Sequence, residues 1–270
     1  MGIRRDIAAD TTRNHLANRP WRKRRIQGMG KSERKQAAEA MRRAQAAEAR
    51  RRKTLFGVAI GAAVVLIGGL IGLGIWMNRP TEYEVSEPAA TTTEDYGVTL
   101  GTGPTEVDLY IDYMCPACNQ FESTYAEDIQ GWLDAGTVTV NYHPLNFLDR
   151  LSNGTEFSTR SAAAAVAAAD TGEQEFLDYT LALYENQPAE NTDGLTDEEL
   201  IAIGTNEVGL GSDWEQLVND ETYKGWVQEG TEDATANQGI EGTPTAKLNG
   251  EVVDAATFAD AVNAAIAEAS

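Results

Sequence analysis

The stretch YMCPACNQF, residues 113–121, contains Cys115 and Cys118, the two cysteines of a 270-residue chain. Ahead of it, Val107, Leu109 and Ile111 alternate with Asp108, Tyr110 and Asp112, the two-residue period of a strand. Behind it, Phe121, Tyr125, Ile129 and Leu133 recur at helical spacing, and Gly136 stands where a helix commonly ends. Residues 137–142, TVTVNY, read as a second strand. The cysteines therefore fall where a strand hands over to a helix.

That position has chemical consequences. The first turn of a helix carries unpaired N–H groups and about half a positive charge. Both favour thiolate over thiol at Cys115, and the thiolate is the attacking form. Pro116 suits the first helical position, where a missing N–H costs nothing. Cys118 lies one turn on, within reach to close a disulfide or to resolve a mixed one. A structural disulfide competes with this reading, although so short a loop constrains little chain entropy. A zinc site competes weakly, because the chain adds only His15 and His143 as further soft ligands. We expect no metal and no cofactor.

A second motif lies near the C-terminus. In GIEGTPTAKLNGEVV, residues 239–253, a strand over 243–248 leads into the tight turn Asn249-Gly250 and a return strand. Pro244 opens the first strand, where proline is tolerated. Phe258, Val262 and Ile266 mark a closing helix. With the strand VDLYIDY, the motif CPAC and the TPT before a hairpin, residues 104–270 resemble the DsbA-like thiol–disulfide oxidoreductases of the thioredoxin-like superfamily. The resemblance implies an α/β thioredoxin-like fold in which Pro244 is cis and packs against the cysteine pair, with Pro116, Ala117, Thr243 and Pro244 supporting the site. It also implies that the Thr243 backbone pairs with an extended substrate segment.

The chain departs from its relatives in two places. Strong oxidants of the family carry His as the second residue between the cysteines, where this chain has Ala117. Thioredoxins carry a buried acid at the place of Leu109. A proton shuttle for Cys118 must come from elsewhere, and Asp112 is the candidate, against the plainer reading of a surface acid at a strand end. Glu241 is a weaker candidate, and His143 reads as a packing or turn residue.

Between the two motifs, residues of about 152–237 fit the family's helical insertion. FSTRSAAAAVAAA, 157–169, is rich in helix-forming alanine. A second helix over 173–184 carries Phe176, Leu177, Leu181 and Tyr184 on one side. Thr196 with Glu199, and Ser212 with Glu215, have capping-box spacing and would open two more helices. A last helix runs over about 221–237. These helices form a lid beside the CxxC, with substrate in the groove between.

The N-terminal part differs in kind. Residues 1–53 hold 17 Lys/Arg against 5 Asp/Glu, a net +12, whereas residues 54–270 hold 5 against 37, a net −32. At the boundary, an uncharged run of 24 residues from Thr54 to Met77 is long enough to cross a bilayer. The Arg50–Lys53 cluster before it keeps the N-terminus in the cytoplasm and the C-terminal domain outside the membrane. A signal peptide would carry a shorter apolar core. Gly57, Gly61, Gly68 and Gly72 offer one face of this span for weak dimerisation. Residues 32–53 read as a solvated helix and 78–103 as a flexible linker whose last few residues are expected to pair with the folded domain. The acidity of the outer domain argues against nucleic acid as a partner.

The expected activity is that of a cell-membrane-tethered enzyme that introduces disulfides into exported thiol-containing proteins through Cys115 and Cys118, recycled by a membrane oxidase. A reductase or isomerase running the chemistry backwards is the first alternative. A non-catalytic binding module on the same scaffold is the second.

Overall fold

A computed structural model describes residues 30, 35, 36, 38–45, 48 and 83–269. The chain divides into two units, Met1–Pro80 and Thr81–Ser270. In the first, residues 35, 36, 38–45 and 48 are helical and exposed, as their Ala, Glu, Arg and Gln content and lack of an apolar face lead one to expect. The membrane span expected over 54–77, its glycine face and most of the basic segment lie outside the described residues. Among the described residues no helix is long and apolar enough to cross a membrane.

The second unit is built on five strands in the order β1-β3-β2-β4-β5. β2 (Thr105–Ile111) lies at the centre, parallel to β3 (Val138–Pro144) with Leu109 opposite Tyr142. On its other side it pairs antiparallel with β4 (Thr245–Leu248), which turns through Asn249 and Gly250 into β5 (Glu251–Val253). Both turn residues have positive φ, as a two-residue hairpin of this hand requires. β1 (Val98–Gly101) closes the far edge against β3. The apolar face of β2 is buried as its alternation foretells, and Tyr110 and Asp112 on the opposite face are buried as well. Their burial follows from the central position of β2 in a sheet covered on both sides.

The crossover from β2 to β3 is helix α1 (Pro116–Asp134), which Gly136 ends at a φ of +64°. On one face of α1 Phe121 packs against Phe258 of the closing helix α7 (Phe258–Ala269), with ring centroids 5.0 Å apart. The insertion comprises α2 (Phe157–Ala169), α3 (Glu173–Glu185), α4 (Asp197–Ile203), α5 (Ser212–Asn219) and α6 (Lys224–Ala236). α2 is the buried axis of this layer, and its alanines let the neighbouring helices approach closely. The Trp214 indole of α5 donates to the Ala164 carbonyl over 3.0 Å.

Two local expectations need correction. Thr196 and Glu199 form the expected capping box. Ser212 and Glu215 do not, because Gly211 takes the cap position and Ser212 is the first helical residue. The second correction concerns the linker. Its last residues, 98–101, pair with the domain as β1 as expected, but residues 83–97 are also laid along the domain. The Tyr83 hydroxyl donates to Glu156 over 2.5 Å, the Ala90 N–H donates to Asp170 over 2.8 Å, and the Tyr96 ring lies 5.5 Å from that of Trp226. Aromatic side chains in a polar, Thr- and Glu-rich stretch provide the docking points that its composition conceals.

Gly225 on α6 sits directly beneath this strap, where an added Cβ would stand 2.4 Å from the Glu84 carbonyl oxygen. Gly225→Ala is therefore expected to cost about 1–3 kcal/mol, the usual range for overpacking. Urea denaturation reads the loss, and limited proteolysis reads the accompanying release of residues 83–97.

Candidate active site

Cys115 is the N-cap residue of α1 and Pro116 its first helical residue. Extended backbone at Cys115 turns into the helix there, so the sulfur sits at the helix mouth. The Cys115 carbonyl closes the first turn by accepting from the Cys118 N–H at 3.1 Å and the Asn119 N–H at 3.2 Å. Both cysteines are free thiols. Cys115 keeps 7% of its surface exposed and Cys118 none.

The two sulfurs experience opposite surroundings. The Cys118 thiol hydrogen-bonds to Cys115 and lowers its pKa from 9.0 to about 6. Partial burial opposes this, and the backbone N–H groups of Cys118 and Ala117 and a hydrogen bond with Thr243 assist it. Cys118 moves the other way. Burial drives its thiol well above 9.0, and the donor role it plays toward Cys115 adds to the rise. One sulfur is shifted toward the thiolate at the edge of the site, and the other is held as a fully buried thiol.

The loop before β4 completes the site. The Thr243–Pro244 peptide bond is cis, and the Cys115 thiol lies 3.4 Å from the Thr243 carbonyl oxygen. A hollow opens on each side of this loop. One, of about 540 Å³, is lined by Cys115, Phe147, Leu148, Glu190, Ile240 and Thr243. The other, of about 490 Å³, is lined by Ala117, Phe121, Tyr125, Pro244 and Ala255. The structure thus brings together the sequence-predicted Cys115, Cys118, Pro116, Ala117, Thr243 and Pro244.

Asp112 is fully buried, which removes the rival reading of a surface acid at a strand end, and burial raises its carboxyl to about 7. Its oxygens accept from the Met114 N–H at 2.8 Å, the Ser158 hydroxyl at 2.8 Å and the Leu148 N–H at 2.9 Å. The carboxyl ties the CxxC turn to α2 and to the loop that lines the larger hollow. To Cys118 it offers a backbone hydrogen bond rather than its side chain. Glu241 is exposed on the rim of the larger hollow. His143 is a packing residue, stacked 4.2 Å from the Tyr110 ring with Nδ1 3.2 Å from the Asp95 carbonyl oxygen.

Three residues escaped the sequence reading. Gln187, in the turn after α3, donates to the carbonyls of Tyr113 at 2.9 Å and Cys115 at 3.0 Å. Asn119 donates to the Tyr184 carbonyl at 2.7 Å and so fastens α1 to the insertion. No local pattern distinguishes Gln187 from other loop amides. Glu122 is a buried acid four residues after Cys118 on α1, with its carboxyl raised to about 8 by burial, against a hydrogen bond with Tyr142. Its position at i+4 from Cys118, beside the apolar stripe of α1, was a usable signal.

A parallel βαβ unit with CxxC at the helix start, facing a cis-proline loop ahead of a hairpin, defines the thioredoxin-like class. The family model described as Thioredoxin matches residues 96–268, and the chain belongs to that family. DsbA of Mycobacterium tuberculosis, in its oxidised form, aligns at 26% identity with a TM-score of 0.54, covering 67% of this chain and 93% of that one. The reduced disulfide bond oxidoreductase DsbG of the same organism aligns at 27% identity with a TM-score of 0.52, covering 64% and 84%. These matches support protein thiol–disulfide oxidoreductase activity. Serine/threonine-protein kinase PknE of Mycobacterium tuberculosis is 36% identical over 110 residues, which span 38% of this chain and 19% of the kinase.

The depressed pKa makes a kinetic prediction. Alkylation of the reduced protein by iodoacetamide is expected at Cys115 alone, with a rate that rises through a midpoint at pH about 6. Mass spectrometry locates the label, and a midpoint above 8 would remove the proposed polarisation.

Proposed function

We propose that the chain is a membrane-tethered, extracytoplasmic thiol–disulfide oxidoreductase that introduces disulfides into exported proteins through Cys115 and Cys118. The observation that carries this reading is the CxxC pair at the start of α1, with the Cys115 sulfur 3.4 Å from the Thr243 carbonyl ahead of the cis Pro244. A group that ionises readily is also a good leaving group. In the oxidised enzyme a substrate thiolate attacks the Cys115 sulfur, the Cys115–Cys118 bond breaks, and Cys118 departs and takes up a proton. A second substrate thiolate then attacks the substrate sulfur of the mixed disulfide. Cys115 leaves as a thiolate, the substrate is oxidised by two electrons, and the CxxC is reduced.

The Thr243 carbonyl beside Cys115 provides a backbone acceptor for an extended substrate segment, and the flanking hollows take its side chains. Phe121, Tyr125 and Pro244 make the smaller hollow largely apolar, whereas the larger one mixes Phe147, Leu148 and Ile240 with Arg150, Glu190 and Glu241. A membrane oxidase is the partner needed to restore the disulfide. The uncharged run over 54–77 and the charge step across it support tethering, with the N-terminus cytoplasmic and the thioredoxin domain outside.

Trapping tests the reading. In cells, Cys118→Ala is expected to accumulate mixed disulfides with exported proteins, and Cys115→Ala to accumulate none. Diagonal gels and mass spectrometry would identify the adducts, and their absence from the Cys118→Ala strain would favour a non-catalytic binding module. The redox equilibrium against glutathione sets the direction. Oxidase function expects a potential well above the roughly −270 mV of thioredoxin.

A further inference from the structure

The strap over 83–97 ends in a tight turn that rests on a buried histidine. The Thr93 N–H donates to the Gly97 carbonyl over 2.8 Å, and the Gly97 N–H donates to Thr93 Oγ1 over 2.8 Å. Gly97 lies against the edge of the His143 ring, where an added Cβ would stand 2.7 Å from Cε1. His143 keeps 1% of its surface exposed. Its Nδ1 is 3.2 Å from the Asp95 carbonyl oxygen in the turn. Its Nε2 is 3.5 Å from Oδ1 of Asp108 on β2 and makes no hydrogen bond.

Both of these neighbours are acceptors. A neutral imidazole has one N–H, so either tautomer leaves a lone pair aimed at an oxygen, whereas the imidazolium gives each oxygen a donor. The surrounding charge favours the imidazolium. Burial would raise the Asp108 carboxyl, yet His143, Asn141 and Lys247 hold it below its ordinary value. Burial and the charges of Asp108, Asp95 and Asp233 raise the phenol of Tyr110, whose ring stacks on the imidazole. Glu106 shares the Asn141 amide with Asp108, and Glu229 and Glu87 act with Asp233 on Tyr96 of the turn. Against these carboxylates stands Lys247, 5.1 Å from the Tyr110 ring and occupied by the Gln238 carbonyl.

We propose that His143 is a pH-dependent latch for the strap: protonated, it pins the turn over 93–97 to β2 by donating to Asp95 and Asp108, and deprotonated, it gives up one of those holds. Histidine changes charge between about pH 5 and 8, so the strap is held at acidic pH and loosens as pH rises. The latch acts on the stretch that leads into the thioredoxin domain and draws on neither Cys115 nor Cys118.

The test is Glu-C proteolysis of the full chain in lipid nanodiscs, with mass spectrometry following cuts after Glu84 and Glu94 of the strap. Each rate is divided by that of a free peptide of residues 83–97, which removes the protease's own pH dependence. The normalised rate is expected to rise roughly tenfold from pH 5.5 to pH 8, the worth of one charge-assisted hydrogen bond, with residues 98–269 left intact. His143→Gln offers one donor group and one acceptor and does not titrate, so at both pH values it should be cut as fast as the natural chain at pH 8. Asp108→Asn removes the carboxylate and should at least halve the rise, which keeps the test decisive if the histidine variant does not fold. A flat profile in the natural chain would overturn the proposal. So would an undiminished rise in a folded His143→Gln or in Asp108→Asn, or cleavage within 98–269 that keeps pace with cleavage of the strap.

Discussion

The neighbouring Cys118 thiol favours ionisation of Cys115, and that influence divides two chemically identical side chains into a nucleophile and a reserve. Its geometry depends on the start of α1. Cys115 holds extended backbone as the N-cap, and Pro116 begins the helix without needing a donor. Cys118 then falls one turn later, on the buried side. The helix-terminal N–H groups and the neighbouring thiol act on the same sulfur, and their combined pull exceeds the cost of its partial burial.

Much of the surrounding structure keeps that turn in place. Asp112 holds it from below through Met114 and reaches across to Leu148 and Ser158. Gln187 holds it from the insertion side by occupying the carbonyls of Tyr113 and Cys115. The cis-proline loop then sets a backbone acceptor beside the reactive sulfur. The insertion thus has two roles: it clamps the CxxC turn and it supplies one wall of the cleft. Preorganisation of this kind limits what must be ordered when a substrate arrives.

The sheet, the CxxC helix and the hairpin were legible because each rests on a local signal. β2 shows a two-residue period, α1 shows helical spacing ended by glycine, and Asn249-Gly250 is a turn dipeptide. The cis proline came from the resemblance, since spacing alone does not separate a cis bond from a trans one at a strand end. What the sequence concealed depends on distant partners. Asp112 reads as a strand-end acid until Ser158 and Leu148 close over it, and Gln187 reads as a loop residue until its amide meets Tyr113. The strap over 83–97 has the composition of a linker, yet Tyr83, Ala90 and Tyr96 each find a partner on the insertion. Ser212 and Glu215 have capping-box spacing, but the chain enters α5 one residue early and leaves the box unmade.

The pH dependence of the difference in folding stability between the reduced and disulfide forms tests the polarised sulfur most directly. Asp112 and Glu122 are present in both forms, whereas the Cys115 thiolate exists only in the reduced one. Its pKa is lowered on folding, from 9.0 to about 6, so the stability it contributes is fully present above pH about 9 and is lost as pH falls through about 6. Urea titrations of both forms should show the reduced form gaining about 1.4 kcal/mol on the disulfide form between pH 5 and pH 7. A stability difference that stays flat from pH 5 to pH 9 would mean that Cys115 is an ordinary thiol in the folded protein.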